Sequence, residues 1–165
     1  MGRIRDCCRL RITLPMVSVG LLLLSGCAAT FPPPVEGILN NGDSYQLMLV
    51  SVSFDPNRPS STPQFHRCFV EKTVTLADTA SRRKLIAVVQ GNVINGGSVT
   101  GCAFTPHYGV HIARGSQTLD MLICFHCMQC EVFVNGAEQG GYSVRPEGKK
   151  YFAALAGEHA ASGTQ

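Results

Sequence analysis

The pattern of apolar and polar positions divides the chain into a leader, a proline-rich stretch and a folded body. Residues 12–24 form an apolar run, broken only mildly by Thr13, Pro15, Ser18 and Gly20. The polarity then alternates. In residues 45–54, Leu49, Ser51 and Ser53 oppose Val50, Val52 and Phe54, the period of two expected of a strand. Residues 55–63 hold Pro, Ser and Asn and read as a loop. Residues 65–76 alternate again, with Phe69, Glu71, Thr73 and Thr75 on one side and Val70, Lys72, Val74 and Leu76 on the other. The pattern changes to helical spacing over 78–90, where Asp78 is placed to cap the first turn and Leu85, Ile86, Val88 and Val89 form an apolar end. Residues 91–101, with Asn95-Gly96-Gly97, read as a loop. Residues 108–113 and 118–125 flank Arg114-Gly115-Ser116-Gln117 and predict a β-hairpin. A further piece over 128–134 is expected either to continue the preceding strand or to pair back on it, ending before Asn135-Gly136. Residues 146–159 predict a terminal helix, with Phe152, Leu155 and Tyr151 turned to the core.

Strands joined by short turns, with two helical segments, predict an α+β domain: a small antiparallel sheet with two helices packed on one face. The expected divisions are a leader over 1–26, a tether over 27–43, a single domain over 44–159 and a loose tail over 160–165. The tether reading comes from Phe31-Pro32-Pro33-Pro34, a short extended polyproline run, and from the turn residues Asn40-Asn41-Gly42-Asp43. No internal repeat is visible.

The leader has its own chemistry. Arg3, Arg5, Arg9 and Arg11 form a basic head, followed by the apolar run and then Leu24-Ser25-Gly26-Cys27. A basic region, a short apolar region and small residues before a cleavage point mark a secretory signal peptide. The thirteen residues of the run fall short of the roughly 20 that cross a bilayer as a helix. Leu24-Ser25-Gly26-Cys27 resembles the lipobox of bacterial lipoproteins. That resemblance implies a diacylglycerol on the Cys27 thiol, cleavage before Cys27 and a further acyl chain, such as palmitate, on the new amine. Each buried methylene contributes about 0.8 kcal/mol, so two or more chains anchor stably. The expected partner is thus a membrane, reached through lipid on Cys27, and the expected location is the bacterial cell envelope. Ala28, with no aspartate at that position, favours the periplasmic face of the outer membrane in a Gram-negative cell.

Cleavage changes the charge. The whole chain carries 14 basic and 11 acidic residues. Loss of the four leader arginines and of Asp6 leaves 10 of each, a nearly neutral body. No basic patch or stripe points to nucleic acid. The one basic run, Arg82-Arg83-Lys84, fits the solvated face of a helix. Of eight cysteines, Cys7 and Cys8 leave with the leader and Cys27 takes lipid. Cys68, Cys102, Cys124, Cys127 and Cys130 remain, an odd set in a compartment where disulfides form.

Most of the reactive side chains fall between Cys102 and Cys130, with His107, His111 and His126 among them. Thiolate and imidazole are ligands for zinc and copper. Three readings stay open. The thiols pack as small hydrophobes with one disulfide, such as Cys102 to Cys124. Or three or four of Cys102, Cys124, Cys127, His107 and His126 hold zinc or copper. Or Cys124-Phe125-His126-Cys127 is a redox C-x-x-C, although a thioredoxin-like motif opens a helix and this run favours a strand. On a continuous strand Cys124, His126 and Cys130 would share one face, and Cys124 and Cys127 would not. The spacing also allows a nucleophilic pair of Cys127 and His107. His66 and His159 read as surface residues. The chain holds no Gly-x-Ser-x-Gly, phosphate loop or framed carboxylate pair.

Residues 73–155 resemble an uncharacterised group of small bacterial lipoprotein-like proteins. The shared pattern is a strand and short helix, then Cys-x-x-x-Pro-x-x-Gly, then Ile-Cys-Phe-x-Cys, then a final helix. Here it is carried by Cys102, Pro106, Gly109, Ile123, Cys124, Phe125 and Cys127. The resemblance implies that Cys102, Cys124 and Cys127 form a set, with Cys68 and Cys130 outside it, and it implies no activity. The sequence thus leads to a non-enzymatic, membrane-anchored envelope lipoprotein acting as a binding or structural module. The competing expectation is a periplasmic metal-binding or thiol-redox protein using the three cysteines.

Overall fold

The computed structural model describes residues 31–52, 59–95 and 101–157. The leader, Cys27, His159 and the tail fall outside them.

The domain is α+β: an eight-stranded antiparallel sheet with three helices. Helix α1 (Pro33–Asn41) leads into β1 (Ser44–Ser51). Then come β2 (Gln64–Phe65), β3 (Cys68–Thr75), α2 (Thr79–Asn92) and β4 (Val93–Asn95). Strands β5 (Tyr108–Arg114), β6 (Gln117–Cys124), β7 (Gln129–Val134) and β8 (Ala137–Val144) form a meander, and a short 3₁₀ turn at Pro146–Gly148 leads into α3 (Lys149–Ala156). The sheet order is β2-β3-β1-β5-β6-β7-β8-β4. The two edge strands are only two and three residues long, so β2 pairs with only two residues of β3 and β4 with only three of β8.

Tight turns set the register of the meander. Gly115-Ser116 closes β5 onto β6 with Arg114 opposite Gln117, and Gly115 takes φ +56°. Asn135-Gly136 closes β7 onto β8 with φ of 51° and 77°, the primed turn that suits twisted strands. Alternation then sends Tyr108, Val110, Ile112, Leu119, Met121, Ile123 and Val132 into one large core shared with residues from all three helices. The opposite face of the sheet carries a smaller cluster of Met48, Val50, Cys68, Leu122 and Phe133, with Phe65, Val70 and Phe104 packed against it.

Three expectations need correction. The stretch read as a tether contains α1. Pro33 and Pro34 stand in its first turn, where the missing N–H groups have no intrahelical partner to lose. Val35, Ile38 and Leu39 share a buried face in the main core. Tyr45 then fastens the helix end: its hydroxyl donates to the Leu39 carbonyl at 3.0 Å and accepts from the Gly42 N–H at 2.9 Å. Strands β4 and β8 went unread, because β4 is short and β8 contains Gly140-Gly141 and no apolar alternation. The terminal helix is shorter than expected, and Tyr151 is exposed while Phe152 is buried. The expected cap of α2 is present, with Asp78 accepting from the Ser81 N–H at 2.8 Å. Among the described residues no helix is long and apolar enough to cross a membrane.

Candidate functional site: a disulfide-tied turn and its cleft

The turn between β6 and β7 spans Phe125, His126, Cys127 and Met128. It closes with Cys124 opposite Gln129. No glycine is available, so Met128 adopts φ +53°, a conformation that non-glycine residues enter at some cost. The Val144 N–H donates to the Met128 carbonyl at 2.9 Å and helps hold it there. Of the two expected alternatives, a strand that continues and one that pairs back, this turn gives the second, with β7 antiparallel to β6. It carries Cys127 away from the sheet toward the segment before β5, and Cys127 is joined to Cys102 by a disulfide with Cα atoms 5.7 Å apart.

The expected pairing of Cys102 with Cys124 is therefore wrong by one cysteine. Cys124 remains a buried thiol inside the turn. Its sulfur accepts the Cys127 backbone N–H at 3.3 Å and lies 4.0 Å from the Thr105 hydroxyl. The Cys127 sulfur also rests 3.0 Å from the Ala103 carbonyl oxygen. Cys68 and Cys130 are free and buried in the two different clusters, so they belong to opposite faces of the sheet. Burial pushes the Cys130 thiol well above its ordinary value, with the nearby Glu131 carboxylate adding to the effect. Cys68 is raised mainly by the same desolvation.

The structure brings the expected site residues into one neighbourhood without making a metal centre of them. Cys102 and Cys127 spend their sulfurs on each other, and His107 and His126 stand at the surface. Among the described residues, no group of three or more His, Cys, Asp or Glu is arranged to hold a metal ion. The expected zinc or copper set of Cys102, Cys124, Cys127, His107 and His126 is thus not assembled. A Cys127 nucleophile paired with His107 is also set aside, since the disulfide occupies that sulfur.

What the two histidines do line is a cleft of about 700 Å³ beside the turn. Its walls are Thr105, His107, Tyr108, Phe125, His126 and Lys149. Backbone bonds fix His107 on both sides: its N–H donates to the Ile123 carbonyl, and its carbonyl accepts from the Val50 N–H. Two of these walls, Tyr108 and Phe125, pack on the buried Phe152 ring behind them, with the three rings 5.5 to 5.8 Å apart between centroids. Among the described residues the lining contains three nitrogen-bearing side chains and no carboxylate. Such a surface suits a small ligand with an anionic group and an apolar or planar body.

A second polar cluster lies on the other face of the sheet. His66 Nε2 and His111 Nδ1 each meet one oxygen of the Asp120 carboxylate, at 3.0 and 2.6 Å. His66 sits at φ +52° in the β2–β3 turn and stacks on Phe133 with centroids 4.1 Å apart. Next to it a single Arg67 nitrogen, Nη2, donates to both carboxylate oxygens of Glu131 at 2.6 and 2.7 Å. His66 is therefore half-buried and paired, not the surface residue expected. Half of this cluster was readable: counting back three pairs from the Arg114–Gln117 closing pair places His111 opposite Asp120. Nothing local signals His66, which arrives through the fold of β2 across the sheet. Comparisons with protein-family models, with curated proteins and with solved structures find no match to this chain.

Proposed function

We propose that the chain is a lipid-anchored protein of the bacterial cell envelope whose domain is a non-enzymatic binding module, with the cleft at His107, His126 and Lys149 as its ligand site. The observation that carries this reading is the Cys102–Cys127 disulfide beside the cleft. A structural disulfide persists in oxidising compartments and is rare in a reducing cytoplasm. The leader ending in Leu24-Ser25-Gly26-Cys27 supports the same compartment and supplies the anchor. The disulfide also ties the segment bearing Thr105 and His107 to the turn bearing Phe125 and His126. Two walls of the cleft are thereby fixed before a ligand arrives, which lowers the ordering cost of binding.

The test is fractionation of cells expressing the full chain and a Cys27→Ser variant. The parent is expected in the membrane fraction, shortened by its leader and bearing acyl groups on Cys27 by mass spectrometry. The variant is expected to lose the acyl mass and leave the membranes. Equal membrane retention of the two, with no acyl mass on the parent, would overturn the reading.

A further inference from the structure

Three cysteines meet at one turn, and only two of them are bonded. Cys127 is joined to Cys102 across the loop, while Cys124 stands three residues before it with its sulfur against the Cys127 N–H. A free sulfur thus lies against the backbone of the same residue whose side chain carries the disulfide. The three cysteines differ in exposure. Cys124 and Cys127 are buried, with 0% and 1% of their surface exposed, whereas Cys102 is partly exposed.

We propose that Cys124 exchanges with the Cys102–Cys127 disulfide, moving the free thiol from the interior to the partly exposed Cys102. When the turn opens locally to solvent, Cys124 gives its proton to water, and its sulfur attacks the Cys127 sulfur. The Cys124–Cys127 bond forms as the Cys102–Cys127 bond breaks. The electron pair leaves on Cys102, which takes up a proton. The step is thiol–disulfide exchange, and it consumes neither oxidant nor reductant. The backbone N–H at the Cys124 sulfur is the kind of donor that steadies negative charge on it during attack. The Met128 conformation keeps the four-residue turn tight, which holds the two ends of the C-x-x-C near each other.

The exchange has a structural consequence. Thr105 and His107 follow Cys102 in sequence and line the cleft. In the Cys102–Cys127 form their segment is bonded to the turn. In the Cys124–Cys127 form it is held only by hydrogen bonds and packing. The thiol state therefore sets how firmly the cleft is closed on one side, and it presents Cys102 as a reactive surface thiol. The proposal goes beyond the envelope reading and reads the same in detergent whether or not Cys27 is acylated.

The experiment uses the full chain in detergent without reductant. Iodoacetamide labelling of the folded protein is followed by peptide mass mapping, comparing the parent with Cys124→Ser. Slow labelling of Cys102 is expected in the parent, at least tenfold faster than in Cys124→Ser, where the native disulfide has no thiol to displace it. Equal rates at Cys102 in the two proteins would overturn the proposal. A Cys102→Ser variant gives a second measurement if circular dichroism shows it folded. It should carry a Cys124–Cys127 disulfide after equilibration with oxidised and reduced glutathione. Free Cys124 and Cys127 thiols in that folded variant would count against exchange.

Discussion

A β-carbon added to Gly109 would lie 2.8 Å from the Phe65 ring. The residue is glycine because β2 folds across β5 at this point, and Phe65 occupies the space a side chain would need. Gly109→Ala should destabilise the domain by about 1–3 kcal/mol, read from urea unfolding, and Phe65→Ala in the same chain should recover part of the loss. The disulfide is the other single-residue matter. Cys127→Ala opens a loop with ends 25 residues apart and should cost about 3 kcal/mol. Adding Cys102→Ala should cost little more, because both changes remove one bond. At this scale the sequence was legible where spacing alone decides. The cysteines and histidines of the cleft were readable as a neighbourhood. Their pairing was not, because it depends on Met128 taking a turn conformation that its residue type does not advertise.

Elements were legible in proportion to their periodicity. Strands β5 and β6 alternate cleanly and meet at a glycine turn, and α2 announces its start with Asp78. Helix α1 was hidden by its own prolines, which read as extended chain although they sit where a helix tolerates them. The counter-signal was Val35, Ile38 and Leu39 at helical spacing. Because those side chains are fully buried, α1 is part of the folding unit. Ile38→Ala should cost about 2–5 kcal/mol in equilibrium unfolding. A chain beginning at Gly42 should lose its cooperative transition, whereas removal of a mere tether would leave it intact. Strand β8 had no such signal, since its outer residues face water and its glycines remove the alternation.

For the whole molecule, the class and the antiparallel order followed from short turns between alternating segments, but the second face of the sheet did not. Its cluster forms through β2 and β3, which fold across the sheet in a way that local pattern does not encode. The burial that builds both faces has a cost at high pH. Desolvation raises the thiols of Cys130 and Cys68 and the phenol of Tyr142 above their ordinary values. Each group is neutral when folded and ionises more readily when unfolded, so its contribution is complete below the unfolded value. For the thiols that value is 9.0, and stability should fall as pH rises past it. The urea midpoint should drop between pH 8 and pH 10, and less steeply in Cys130→Ala. Helix α1 has one more consequence. Phe31 is already buried in the core and follows Cys27 by only four residues, at most roughly 14 Å of extended chain. An acylated Cys27 would moor the body hard against the bilayer, with no stalk on which to sway. Whatever it meets must then come to it at the lipid surface.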